Sequence, residues 1–396
     1  MALILTALLF PLAGRALRAR TWAEAYLLGV GAVGTALFLL PFEVAVAVIV
    51  LLAIAGARAS RPYVPAGRDA RRLAGGTPAR PNAPLIVMLI PLLLMAYIAA
   101  ITPLSDFDGR AFWLLKAKGF ADERQVDGPF FHGEKVYDPR NHYPLLMPLN
   151  AGLLMIATGH ADDAEVRWLY LGVFVAMLFV IRRRADPWLA AIVAWLPQFA
   201  AETDGGALSA YSDVAVAAFV ACAVFEEESP LRFGAWLAFL VLTKNEGLPI
   251  AIVLLALGAW RFRKRASISA VPAVIATAAL IAWRHRIPPG DEENLAALLR
   301  TLPEHLDRLW PAITIFAAHL VGFAKWGLFW IAVALTARRR MPIAVMLAII
   351  ATYLAAYTVT TWIQRDLINS SADRLLMHLI GPACLAMACH PEQRRL

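Results

Sequence analysis

Two carboxylates two residues apart, Asp106 and Asp108, follow directly on an apolar run and precede an amphipathic segment carrying Phe112, Trp113, Leu114 and Leu115. A carboxylate held at a membrane boundary can act as a general base, and a pair at this spacing could share a divalent metal ion. Ser105, Asp106 and Asp108 suit a helix N-cap equally well, so the spacing leaves both roles open. Four further groups could take part in the same chemistry. Asp213 opens an apolar run, as a cap or as a ligand for substrate hydroxyls, and His142 and Tyr143 stand before a Pro-bounded apolar stretch. For Tyr143 an interfacial anchor is the preferred role. Lys244 and Glu246 share a turn between two short apolar arms. An ion pair buried there is costly unless paired or solvated, which favours a functional role. Arg374 precedes the last apolar run, where a guanidinium can snorkel to the interface or grip a phosphate in bidentate fashion. His378 reads as a packing residue, Glu202 as a solvated loop tip and Glu226, Glu227 and Glu228 as solvated charge. The depth of His319 and Lys325 is undefined. No Walker A, GxGxxG, HExxH or GxSxG motif occurs, so ATP-driven transport and the common hydrolase chemistries lose their main support.

The elements that must position these residues are apolar. Of 396 residues, 60% are hydrophobic and 17% charged, against roughly 45–50% and about 25% in a soluble domain. With about 20 apolar residues needed per crossing, the expectation is an all-α, polytopic transmembrane bundle of about 11–13 spans. The net charge of +8 lies mostly in short basic runs beside apolar segments, a topology signal that excludes a nucleic-acid surface. Cys222, Cys384 and Cys389 fall in apolar runs without disulfide or metal spacing and read as small core residues. The stretch 1–14, MALILTALLFPLAG, reads as a short first span or interfacial helix in preference to a cleaved signal.

The basic clusters at 15–20, 58–80, 182–184, 261–265, 338–340 and 394–395 are placed on the cytoplasmic side, and parity orders the rest. Residues 1–82 form N-terminal accessory helices and a Pro/Gly/Arg-rich linker, and residues 83–396 form the main module. Spans are expected at 23–40, 42–57, 85–102, 166–181, 187–201, 214–225, 231–243, 248–260, 267–283, 311–336, 341–361 and 375–389. The run 143–158 is expected to be re-entrant or interfacial. External loops at 103–143 and 284–310 should roof an outward cavity, the latter carrying an amphipathic pattern of Leu295, Leu298, Leu299 and Leu302. Arg374 is expected at the outer start of the final span.

Asp-x-Asp at 106–108, YPLLMPL at 143–149, AYSDVAV at 210–216, LTKNEG at 242–247 and SADRLLMHLIGP at 371–382 occur in an order that resembles the GT-C superfamily of integral membrane glycosyltransferases. The closer likeness is to the bacterial protein mannosyltransferases and lipid A arabinose transferases, over roughly residues 85–389. The resemblance implies transfer of a sugar from a polyprenyl-phosphate donor, with inversion, at the outer face of the cytoplasmic membrane, as part of cell-envelope chemistry. It implies Asp108, or else Asp106, as catalytic base, Arg374 and Lys244 as holders of the donor phosphate, and Asp213 as a residue orienting donor or acceptor. Glu246, His142 and Tyr143 are further substrate-binding candidates. Some branches need a divalent metal ion, for which Asp106 and Asp108 would be the ligands. With no soluble domain after the last span, the expected acceptor is a lipid or saccharide. A secondary transporter or lipid-linked saccharide flippase is the alternative from another class, and a non-enzymatic membrane scaffold is a third.

Overall fold

The computed structural model describes residues 2–59 and 83–388, apart from 135, 137, 139, 161, 292 and 294. Most of the basic linker at 58–80, Cys389 and the basic pair at 394–395 lie outside the described residues. Among those residues all regular structure is helical. In chain order α1 is Ala2–Ala16, α2 Trp22–Leu39, α3 Phe42–Ala59 and α4 Ala83–Ile101. A π-helical turn, Gly109–Leu114, leads into α5, Leu115–Glu123. Then come α6 Leu146–Thr158, α7 Asp163–Arg184, α8 Pro187–Ala194, α9 Pro197–Ala200, α10 Asp213–Phe225, α11 Pro230–Thr243, α12 Gly247–Phe262 and α13 Ala266–Arg284. The chain closes with α14 Leu295–Leu298, α15 Leu309–Leu320, α16 Phe323–Trp326, α17 Phe329–Thr336, α18 Arg340–Val359, α19 Gln364–Met377 and α20 Ile380–Met387.

Local chemistry explains many of the starts. Thr21, Asp162, Asp186 and Ser229 each accept a backbone N–H of the first turn of α2, α7, α8 and α11, and Pro187 and Pro230 occupy the position where a missing N–H costs nothing. Six helical segments are long and apolar enough to cross a membrane, with α6, α10 and α11 as shorter apolar helices. One of the six is the stretch Gly247–Arg284, in which α12 and α13 pack side by side, Gly258 against Ser269. Every residue of α10 is buried, so this helix is the axis around which α7, α11 and α20 assemble. At the periphery α4 exposes Ile90, Leu93 and Leu94, a surface that suits hydrocarbon and not water.

Several expected spans come out differently. The run 311–336 is not one helix but α15, α16 and α17, broken at Gly322 and again at Gly327, whose φ of 54° is a left-handed turn that glycine adopts without strain. The run 187–201 divides into α8 and α9 at Pro197, which cannot continue the preceding ladder of hydrogen bonds. The last span is also divided. Arg374 lies in the final turn of α19, not at the start of a span, and His378 and Leu379 separate α19 from α20. The first ten residues of α6 are all buried, so the helix of the 143–158 run packs inside the protein core.

Residues 2–59 pack into the rest of the molecule. The Tyr26 hydroxyl donates to Leu169 O of α7, and Asn150 of α6 donates to Val30 O of α2. At the basic end of the bundle Arg184 pairs with Glu24 at 2.9 Å, while Arg20 and Arg232 both pair with Glu226. Glu226 is therefore a buried network residue, correcting its reading as solvated charge. Burial pushes its carboxyl above the ordinary range, against the lowering effect of the Ser229 and Glu228 backbone N–H groups and of Arg20 and Arg184. Glu228 stays largely exposed but also reaches Arg20, at 2.8 Å.

Candidate functional site

The opposite end of the bundle carries the loops. Loops 124–145 and 284–310 are fastened together: Asn141 donates to Pro288 O, His142 Nε2 lies 3.2 Å from Ile287 O, Arg286 pairs with Asp127 and the Trp283 indole donates to Val126 O. A third segment joins them. Arg140 stacks between the rings of Tyr143 and Trp362, and Arg308 donates to Thr360 O. His142 thus contributes to the seam of this roof.

Beneath it, the two carboxylates of the Asp-x-Asp pair separate by function. Asp106 is buried; Oδ1 accepts the Gly109 N–H at 2.7 Å and Oδ2 the Asp204 N–H at 3.2 Å. It pins the π-helical turn to the 201–212 loop. Burial, with a smaller push from Asp108, raises its carboxyl above the ordinary range despite those two donors. Asp108 makes no capping bond and is only half-buried, with its carboxylate facing the Tyr211 hydroxyl. Each Asp106 oxygen thus already accepts one backbone N–H, whereas Asp108 accepts none as a cap. Among the described residues no group of three or more His, Cys, Asp or Glu could hold a metal ion.

Tyr211 links Asp108 to Arg374. The guanidinium carbon of Arg374 lies 4.9 Å from the centre of the Tyr211 ring, a cation–π geometry. Gly205, at φ 83°, passes so close that a Cβ there would sit 2.7 Å from Arg374 Cγ, so the bare backbone at Gly205 makes room for the arginine stem. The buried Nε of the Arg374 side chain has no hydrogen-bond partner among the described residues. It stands in the field of Asp213, Asp108 and Glu246. Burial raises the Tyr211 phenol well above its ordinary range, with Asp108 adding to that rise and Arg374 opposing it.

The floor of the site is an ionic chain. Lys244 Nζ lies 2.8 Å from Asp213 Oδ1 and 3.1 Å from Glu246 Oε1, with Asp213 fully buried and Lys244 nearly so. The turn that carries Lys244 and Glu246 is held in place because Arg284 donates to Asn245 Oδ1 and Gly247 N donates to Lys244 O. Asp213 stands at the first turn of α10, where the helix dipole favours a negative charge, and its side chain is ion-paired, not capping. Tyr143 packs against Trp113, with ring centres 5.8 Å apart. Burial raises its phenol, reinforced by Glu246 and opposed by Lys244, Arg140 and Arg374.

Of the sequence-derived candidates, Asp108, Asp213, Lys244, Glu246, Tyr143 and Arg374 therefore share one region, Asp106 shapes its edge, and His142 holds its roof. His319 and Lys325 lie to one side. His319 Nδ1 is 3.1 Å from Asp373 Oδ2, Trp326 donates to Asp373 Oδ1, and Lys325 pairs with Asp204. Glu202 is no solvated tip: it pairs at 3.4 Å with Arg167, whose side chain is wholly buried and also donates to Thr102 O and Leu208 O. Sequence reasoning missed Tyr211, Arg167 and the buried Lys116–Asp138 pair. For Tyr211 the signal was present, in its place two residues before Asp213. Comparison of the chain with known protein families, with curated proteins and with solved structures finds no match.

Proposed function

We propose that the protein is a membrane glycosyltransferase that moves a sugar from a polyprenyl-phosphate donor to a lipid or saccharide acceptor at the outer face of the cytoplasmic membrane. One observation carries the reading: Arg374 is held by stacking on Tyr211, its buried Nε without an acceptor among the described residues, on the same tyrosine that Asp108 faces. An arginine positioned in this way is suited to a planar, multidentate anion such as a phosphate. A half-buried carboxylate across the same ring is suited to accept a proton.

In the proposed step an acceptor hydroxyl oxygen attacks the anomeric carbon from the face opposite the phosphate. The new C–O bond forms as the bond from the anomeric carbon to the phosphate oxygen breaks, the hydroxyl proton passes to Asp108, and polyprenyl phosphate leaves with the bonding pair. Negative charge accumulating on that phosphate is stabilised by a donor already in place. Arg374 is its direct partner. Lys244 is matched by two carboxylates and acts at one remove, as does Asp213 through it.

Binding of a polyprenyl phosphate to the protein in nanodiscs tests the phosphate site without requiring the right sugar. Arg374→Ala is expected to weaken binding at least about tenfold, which is about 1.4 kcal/mol, and Arg374→Lys to recover only part of it because an ammonium cannot present the planar fork. Equal affinity in wild type and Arg374→Ala removes the phosphate from this position.

A further inference from the structure

The ionic chain does not end at Asp213. His378 Nε2 lies 3.3 Å from Asp213 Oδ1, and His378 Nδ1 lies 2.8 Å from the Tyr353 hydroxyl of α18. Both His378 and Asp213 are wholly buried, and His378 occupies the break between α19 and α20. A second rung, from Tyr357 to Ser371 at 2.7 Å, ties α18 to α19 one turn away. Residues 371, 374 and 378 recur at helical spacing, so the two rungs bracket Arg374 along its own helix.

The Tyr353 contact sets the histidine tautomer. If the Tyr353 hydroxyl donates to Nδ1, the neutral imidazole carries its proton on Nε2, in 3.3 Å contact with the Asp213 oxygen already held by Lys244 but short of hydrogen-bond geometry. The reverse tautomer would set two lone pairs, of Nε2 and of Asp213, against each other in a buried site, a costly arrangement. Asp213 Oδ2 has no hydrogen-bond partner among the described residues, so its orientation follows from the Oδ1 contacts with Lys244 and His378.

We infer that Tyr353 and His378 are positioning residues, which lock the Asp213 carboxylate and through it the Lys244 ammonium beneath the departing phosphate, while fixing the height of Arg374. This role rests on the transfer reading above. Neither residue touches substrate. Their contribution belongs to charge that must already be oriented when the anomeric bond breaks, so it falls on kcat more than on donor KM.

The test measures transfer from polyprenyl-phosphate sugars by wild type, His378→Phe, His378→Gln and Tyr353→Phe, with 15N NMR of histidine-labelled protein in nanodiscs. A close polar contact with a buried carboxylate being at stake, His378→Phe is expected to lower kcat about tenfold. Donor KM is expected to stay within about twofold. His378→Gln is expected to recover much of the loss, since its amide can accept from Tyr353 and donate to Asp213. Tyr353→Phe, which removes one hydroxyl, keeps the question decidable if His378→Phe does not fold. It is expected to lower kcat and to abolish the single Nε2–H tautomer expected in wild type. A wild type that transfers while His378→Phe and Tyr353→Phe keep its rate overturns this role alone, as does a glutamine variant no better than phenylalanine. A wild type that transfers from no donor overturns the transfer reading and this role with it.

Discussion

At the scale of single residues, the informative contrast is between two aspartates that the chain spells almost alike. Asp106 spends both oxygens on backbone N–H groups, whereas Asp108 has no backbone donor and faces Tyr211. Asp106→Ala is therefore expected to lower thermal stability by about 1 kcal/mol, the usual scale for a lost cap, while Asp108→Asn leaves stability near wild type. Unfolding midpoints in detergent check this, and the opposite ranking would exchange the two roles. The pH dependence of Asp106 has a definite sign. Its carboxyl is raised above the ordinary range, chiefly by burial, so the folded protein binds that proton more tightly than the unfolded chain. Its contribution is fully present below the ordinary carboxylate value and is lost as pH rises through the raised folded value. Asp106→Asn should flatten that decline in a series of melts across acid pH; an unchanged slope would assign it to another group.

At the scale of elements, what was legible in the chain was whatever depends on local pattern. The spans at 23–40, 42–57, 85–102 and 166–181 match α2, α3, α4 and α7, because a long apolar run has one stable form in hydrocarbon, and Thr21 and Asp162 cap two of them. The 231–243 and 248–260 pair with its Lys244 turn is likewise present as α11 and α12. Breaks within apolar runs were not legible. Gly322, Gly327 and the His378–Leu379 interruption change hydropathy very little, and whether an apolar run bends there depends on what it packs against. For the same reason Arg167 escaped notice: within α7 it looks like one charge in an apolar helix, and only the tertiary fold brings Thr102, Glu202 and Leu208 around it. Arg167→Met is expected to destabilise the bundle by roughly 3 kcal/mol, because it leaves two carbonyls and a carboxylate without their donor. Chemical unfolding in mixed micelles measures it, and a loss below about 1 kcal/mol would show that Arg167 does not bear this connection.

At the scale of the whole molecule, two polar assemblies sit at opposite ends of an apolar body. One is the basic-end network of Arg20, Glu24, Arg184, Glu226 and Arg232, which holds the first helices to the rest. The other is the site of Asp108, Tyr211, Arg374, Lys244 and Asp213 under its sewn loops. Since α2 packs on α6 and α7 through Tyr26 and Asn150, deleting residues 2–59 is expected to abolish a monodisperse folded species in size-exclusion chromatography. A monodisperse, cooperatively melting remainder would show that residues 60–396 fold without the first three helices. The measurement closest to the central claim is transfer of radiolabelled sugar from a panel of polyprenyl-phosphate sugars by purified protein in nanodiscs. Wild type is expected to consume one donor and release polyprenyl phosphate in equal amount. Asp108→Asn is expected to lower that rate by at least about 100-fold, as loss of a general base does, with donor binding retained. Transfer at the wild-type rate by Asp108→Asn would contradict the assigned chemistry, and consumption of no donor alongside movement of a lipid-linked saccharide across the bilayer would make the protein a transporter instead.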